Sequence, residues 1–389
     1  MTDFSQLPWH WVDTQQALIE WVEKWADLSV IAIDTEFMRT NTYYAKPGLI
    51  QFATPSEVCL VDPLEIEDLS VLSPLLTNSD QTKVMHSMSE DIELLHHICG
   101  VVPVQVFDTQ IAAAFLGLGP ALGYQALVSS QLGEELDKSE TRSDWLQRPL
   151  TAQQLDYAIK DTHFLIELYD ALAPQLEQKD LYQSVIDEGR LLIEQNVAGW
   201  LHNDDAYLRL RGAWDLPPRK QQLLKKLVSW RDRMARDHNL PKSWVFSDAH
   251  LLQIAQKETR NPHALWKLDR VKPKSVKRFG DTLCQLVRDF EPTDAPFRLV
   301  PRPLKGREME LYKRLKKLVA RVAEREGIAA QILGSRKMLE RVVIDLYRDK
   351  GEALPEEFNG WRKPLLGEPL RAAVAEFQMA QAPVDDDEE

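Results

Sequence analysis

Residues 29–39 read S-V-I-A-I-D-T-E-F-M-R: four apolar residues, Val30 to Ile33, run into two carboxylates, Asp34 and Glu36, and then into Phe37. The apolar run reads as a short buried strand. Two acids at its end mean either a strand leaving the core for solvent or a metal site. Successive side chains on a strand alternate, so residues two apart share a face. Asp34 and Glu36 would then present two carboxylates together, the oxygen donors that hard divalent cations prefer. The metal reading needs further acids from elsewhere in the chain.

Two segments offer them. In H-S-M-S-E-D-I-E-L-L (residues 86–95), Asp91 falls in a helix that follows a strand. In Y-A-I-K-D (residues 157–161), Tyr157 and Asp161 stand one helical turn apart on one face. A tyrosine hydroxyl beside bound water can orient that water or assist removal of its proton.

The surrounding pattern is α/β. Residues 49–53, 58–61, 83–86 and 104–107 read as further strands, and residues 87–98 and 108–115 as helices. From Thr151 to Leu172 apolar residues recur at helical spacing, with Thr151 and Gln154 placed as a capping box. Alternating strands and helices imply a layered α/β domain through about residue 200. Beyond residue 205 strands vanish and helical segments repeat with a shift of 88 residues. That shift pairs Leu223 with Leu311, Leu227 with Leu315, Met234 with Val322 and Leu240 with Ile328. It also pairs Trp244 with Ile332, Leu251 with Leu339 and Ser247 with Ser335, each serine standing where an N-cap would. Two copies of one small helical domain follow, with residues 291–296, E-P-T-D-A-P, as the linker. The expected division is 1–204, 205–292 and 300–380, with an acidic, disordered tail at 381–389.

Charge follows the same division. The chain of 389 residues carries a net −13. Residues 1–200 hold 10 Lys/Arg against 31 Asp/Glu, and residues 205–290 hold 19 against 9. Acids in the first half suit cations, and the basic segment suits a polyanion such as nucleic acid. Cys59, Cys99 and Cys284 lie far apart without C-x-x-C spacing, so neither a disulfide framework nor a zinc site is expected. With no apolar run near 18 residues and no signal-like start, a cytoplasmic protein without membrane contact is expected.

The three acidic motifs in their order resemble those of the DEDD exonuclease superfamily, in its tyrosine-bearing branch. Residues 42–52 (T-Y-Y-A-K-P-G-L-I-Q-F), 107–109 (F-D-T) and 136–150 (L-D-K-S-E-T-R-S-D-W-L-Q-R-P-L) are similar to segments of the ribonuclease D family. One departure is A-K-P-G at 45–48, where the family usually carries a bulkier apolar residue before L-I-Q. Residues 239–255 and 271–280 resemble the HRDC module that this family shares with RecQ-type helicases. No P-loop motif occurs, so no ATPase accompanies it.

This resemblance implies a ribonuclease H-like α/β exonuclease domain followed by two all-α HRDC-type domains. It implies that Asp34, Glu36, Asp91 and Asp161 hold two divalent cations, Mg²⁺ or Mn²⁺, and that Tyr157 takes the tyrosine position. The implied reaction is 3′–5′ hydrolysis of RNA to nucleoside 5′-monophosphates, the two cations activating water and stabilising the leaving oxygen. The implied substrates are 3′ extensions of tRNA precursors and other small structured RNAs, and a monomer is expected. Lys138, Arg142 and Arg148 are candidates for substrate phosphate, as are Lys272, Lys274, Lys277 and Arg278. Asp108 reads as a cap or turn residue, and His86, His96 and His97 as structural or surface groups. A DNA 3′–5′ exonuclease would share every catalytic residue, since only 2′-hydroxyl contacts distinguish RNA. A non-catalytic RNA-binding protein is the alternative from another class.

Overall fold

A computed structural model describes residues 7–136, 140, 143–201 and 203–380, with the backbone only at 201, 203 and 204. The acidic tail expected at 381–389 lies outside these residues. Six strands form one mixed sheet: β1 (Trp9–Val12), β2 (Val30–Met38), β3 (Lys46–Ala53), β4 (Val58–Val61), β5 (Thr82–Met85) and β6 (Val106–Asp108). Their order across the sheet is β1-β4-β3-β2-β5-β6. β2 pairs parallel with β5, Val30 opposite Thr82, and β5 pairs parallel with β6. β3 and β4 form an antiparallel pair, Ile50 opposite Val61.

Five of these strands match expected ones, and β1 does not. W-H-W-V buries only Val12 fully, so it lacks both an apolar run and a clean alternation. It holds its place at the sheet edge through parallel pairing with β4, Trp9 opposite Val58. β2 also runs longer than its apolar core predicts, to Met38, so Asp34 and Glu36 lie within the strand rather than past its end. The A-K-P-G segment enters β3 directly. A Cβ on Gly48 would stand 2.7 Å from Trp145 Cβ and 3.1 Å from the Glu36 carbonyl, so glycine lets three segments meet there.

Among the described residues seven α-helices accompany the sheet: α1 (Gln15–Trp25), α2 (Ser73–Leu76), α3 (Ser89–Cys99), α4 (Thr109–Phe115), α5 (Tyr124–Leu132), α6 (Ala152–Gln178) and α7 (Tyr182–Leu201). The capping box forms as read: the Gln154 N–H donates to the Thr151 hydroxyl at 3.1 Å, and the Thr151 N–H to Gln154 Oε1 at 2.9 Å. Trp21, Trp25 and Phe52 pack in series, with ring centroids 4.8 and 5.5 Å apart.

The first helical copy comprises α8 (Pro218–Asp237), α9 (Lys242–Val245), α10 (Asp248–Lys257), α11 (Pro262–Leu265) and α12 (Pro273–Arg288). The second comprises α13 (Arg307–Glu326), α14 (Ala330–Leu333), α15 (Arg336–Val342) and α16 (Glu368–Met379). The 88-residue shift carries the start of α9 onto α14 and that of α10 onto α15. Ser247 and Ser335 are both N-caps, accepting from the His250 and Met338 N–H groups. The register then breaks, because α15 passes into a π-helical turn at Val343–Arg348 that α10 lacks.

The chain forms two compact units. One joins residues 1–36, 47–193 and 304–389; the other joins 37–46 and 194–303. The second helical copy therefore belongs with the sheet, and one continuous core runs from Phe107 and Ala113 to Leu315, Leu333 and Phe358. The other core belongs to the first helical copy. Residues 291–296, expected as a linker, lie inside this second unit: the Gln222 side-chain amide donates to the Thr293 carbonyl at 2.8 Å, and the Thr293 N–H returns a bond of 3.0 Å. All three cysteines are free and buried. Among the described residues no helix is long and apolar enough to cross a membrane.

Candidate active site

β2 pairs with β5 only over Val30–Ala32, so Asp34 and Glu36 emerge beyond the end of that ladder. Sites in open α/β sheets gather at such carboxyl ends of parallel strands, where the paired strand leads into a helix. β5 ends at Met85, passes Ser87 at φ 54°, and enters α3 at Ser89. Asp91 therefore stands in the first turn of α3, where the helix dipole favours an anion.

α3 has no side-chain cap of its own, and Asp108 does that work from the end of β6. One Asp108 oxygen accepts from the Met88 N–H at 2.9 Å. The other accepts from Gln110 and Ile111 at 2.8 and 3.2 Å, capping α4. A single carboxylate thus fixes the turn before Asp91, the cap role expected for it. Thr35, between the two acids of β2, donates its hydroxyl to Asp91 Oδ1 and so ties strand to helix.

α6 brings Tyr157 and Asp161, and the Tyr157 hydroxyl is hydrogen-bonded to the Asp161 carboxylate. Tyr124, at the start of α5, donates its hydroxyl to the Asp161 main-chain carbonyl. The Tyr124 ring lies against His86, centroids 5.2 Å apart, and His86 Nδ1 bonds the Thr109 hydroxyl at 2.9 Å. His96 and His97 lie in the last turn of α3, remote in the helix from Asp91. Thr35 and Tyr124 escape sequence reading: neither sits in a spaced polar pattern, and their partners lie 56 and 37 residues away.

Electrostatics binds the four acids into one group. Burial chiefly raises each pKa, and neighbouring acids add to it for Glu36, Asp91 and Asp161. Asp34 is raised to about 6 despite a hydrogen bond from the Thr35 N–H. Glu36 is raised to about 10, with Asp34, Asp161 and Asp91 adding in that order. Asp161 is raised to about 8, Asp34 adding and the Tyr157 hydroxyl opposing. Asp91 is raised well above the carboxylate range, Asp34 adding and Thr35 opposing. Asp34 thus acts on all three others. Among the described residues no three His, Cys, Asp or Glu side chains already converge as a preformed cage. The donor set nonetheless fits hard divalent cations: it is all carboxylate, and its mutual repulsion is what bound cations would relieve.

The substrate candidates divide. Lys138 and Arg142 lie outside the described residues. Arg148 turns inward: it grips Asp62 at 2.5 and 2.6 Å and donates to the carbonyls of Gly48, Trp145 and Gln147. Its three nitrogens are engaged in holding the loop after residue 143 to β3 and to Asp62 just past β4. Lys272, Lys274, Lys277 and Arg278 are all exposed at the start of α12. Lys272 also lies 4.3 Å above the Trp244 ring.

A mixed sheet with acids at the carboxyl ends of its parallel strands, followed by a duplicated helical module, defines a class: a 3′–5′ exonuclease domain joined to HRDC modules. Residues 9–177 match the family model described as 3′–5′ exonuclease, and residues 220–287 the HRDC domain. Residues 309–370 match the C-terminal HRDC domain of ribonuclease D. The likeness spans the chain. Ribonuclease D of Pseudomonas paraeruginosa is 33% identical over 94% of this chain and 97% of its own length. That of Escherichia coli is 34% identical over 94% and 98%. The crystal structure of Escherichia coli RNase D, titled an exoribonuclease involved in structured RNA processing, superposes with a TM-score of 0.84 at 33% identity. It covers 94% of this chain and 98% of that one. The chain belongs to the ribonuclease D family.

Proposed function

We propose that this chain is a metal-dependent 3′–5′ exoribonuclease that releases nucleoside 5′-monophosphates. The observation that carries this reading is the placement of Asp34 and Glu36 on β2, of Asp91 in the first turn of α3, tied to β2 by the Thr35 hydroxyl, and of buried Asp161 on α6, the other three acids each acting on Glu36. Those four acids would hold the divalent cations, Mg²⁺ or Mn²⁺. Cations bound there would supply the charge that favours attack by water and departure of the 3′ oxygen.

The chain's own groups have separate tasks. Thr35 holds Asp91 to β2, and Asp108 holds the turn behind it, so the acids keep their spacing. Tyr157, steadied by the Asp161 carboxylate, presents a hydroxyl that orients the attacking water and shares its proton. Tyr124 anchors the main chain of Asp161 from below. Lys272, Lys274, Lys277 and Arg278 would meet substrate phosphates. Cations at a helix start oppose the helix dipole, a cost that contact with an anion offsets.

RNA as the substrate rests on the family, and 3′ extensions of tRNA precursors and other small structured RNAs are the substrates proposed. Incubation with equal amounts of labelled 3′-extended RNA and single-stranded DNA, with chromatography of the products, tests this. RNA consumed first, with nucleoside 5′-monophosphates accumulating, is the expected result. Preferential loss of DNA, or release of 3′-phosphates, would overturn it.

A further inference from the structure

The first helical copy carries a second basic feature, at the opposite end of α12 from Lys272. A groove of about 680 Å³ lies between α8 and residues 286–297. Along α8 the lining residues Lys226, Ser229, Arg233 and Arg236 recur at helical spacing, and Lys225 adds a fourth cation. The far wall carries Phe290 and Phe297, both half-buried. Lys226 Nζ stands 5.8 Å from the Phe290 ring centre, so charge and aromatic surface adjoin.

Two observations separate this groove from an ordinary solvated helix face. First, its far wall is fixed. Gln222 holds Thr293 by two hydrogen bonds, Gln221 Oε1 accepts from the Val300 N–H at 2.8 Å, and the Tyr207 hydroxyl donates to the Arg298 carbonyl. Second, its charge is one-sided. Asp232 is already matched by Arg231 at 3.0 Å and Lys242 at 2.8 Å, which leaves Glu291 against four cations. Cations along one wall and aromatic rings on the other are what a flexible nucleic-acid strand needs, phosphates meeting charge and bases stacking on rings. The volume suits a nucleotide or two.

We propose that this groove binds a single-stranded segment of the RNA substrate, Lys226 and Arg233 contacting phosphates and Phe297 stacking a base. The inference rests on the exoribonuclease reading and adds to it a subsite remote in sequence from the acids.

Fluorescence anisotropy tests it, with the full chain and a labelled oligouridylate in EDTA so that nothing is cut, across a salt titration. The double variant Lys226→Glu, Arg233→Glu should weaken binding at least about tenfold and reduce the salt slope by about two. Phe297→Leu should weaken binding while keeping the slope, because it removes only a stacking face. Affinities and slopes equal to the parent's in both variants would overturn the proposal. Lys226 and Arg233 are exposed, and Phe297→Leu decides the matter should charge reversal lower the melting temperature. The parent's shortening of RNA with Mg²⁺ is measured separately. Its absence would defeat the proposed function, whereas shortening by the parent with unchanged variant affinity would defeat this groove alone.

Discussion

A carboxylate that leaves water on folding resists ionisation, and Glu36 does so beside three others. Each of the four acids binds its proton more tightly in the fold than in the unfolded chain. The contribution of these four acids therefore favours folding at low pH. The cation-free protein should lose stability as pH rises from about 4, the ordinary carboxylate range, past about 6 for Asp34 and about 8 for Asp161. Melting in EDTA across that window should show a falling transition, and Mg²⁺ or Mn²⁺ should restore more at the alkaline end; a flat profile without a metal effect would contradict it. Asp34→Asn removes the charge that acts on the other three, so its cation-free melting point at alkaline pH should lie above the parent's. Tyr157→Phe should lower turnover by roughly 10²-fold or more with RNA affinity nearly kept; single-turnover kinetics beside an equilibrium binding curve would show it. Periods alone put Asp34 and Glu36 on one strand face and Tyr157 and Asp161 on one helix face; that Asp91 joins them was implied only by the family resemblance. Thr35, Asp108 and Tyr124 act across long sequence separations or on main-chain atoms, and such bonds leave no period to read; only Asp108 showed a trace, as a cap before a helix.

At the level of elements, the turn between β5 and α3 depends on one side chain from another strand. Asp108→Ala would leave the Met88, Gln110 and Ile111 N–H groups without their acceptor. The cost should be about 1–3 kcal/mol, read as a lower urea midpoint, with activity falling further because Asp91 loses its seat. An unchanged midpoint would remove this carboxylate from the account. Five strands were readable as short, mostly apolar runs, and the 88-residue repeat as a recurring apolar pattern. β1 carried none, being an edge strand of exposed aromatics. The repeat faded after α15, where a π-helical turn and the short turns following it replace a regular helix.

At the scale of the molecule, the duplicated module has two fates. The second copy shares the catalytic core. The Ala329 N–H bonds the Ala114 carbonyl at 2.8 Å, Trp361 packs on Phe115 with centroids 4.6 Å apart, and Arg362 reaches Glu188 at 2.6 Å. Gly117 permits this docking, since a Cβ there would stand 2.7 Å from the Gly327 carbonyl oxygen. Deleting residues 304–389 should therefore expose apolar surface and lower the melting temperature of what remains, seen as early melting and aggregation. A truncated chain as stable as the parent would contradict this. No sequence period reports such docking, because it joins glycines, a backbone bond and one buried ion pair.

The central claim, that coupled acids on β2, α3 and α6 form a cation-dependent exonuclease site, has one direct test. A 3′-extended structured RNA labelled at its 5′ end is incubated with the parent chain and with Asp34→Asn, with Mg²⁺, Mn²⁺ or EDTA, and resolved on a sequencing gel. A ladder shortening one nucleotide at a time from the 3′ end, given by the parent with either cation and by neither chain in EDTA nor by Asp34→Asn, is the predicted result. Shortening that persists in EDTA or in Asp34→Asn, or internal cuts in place of a ladder, would contradict it.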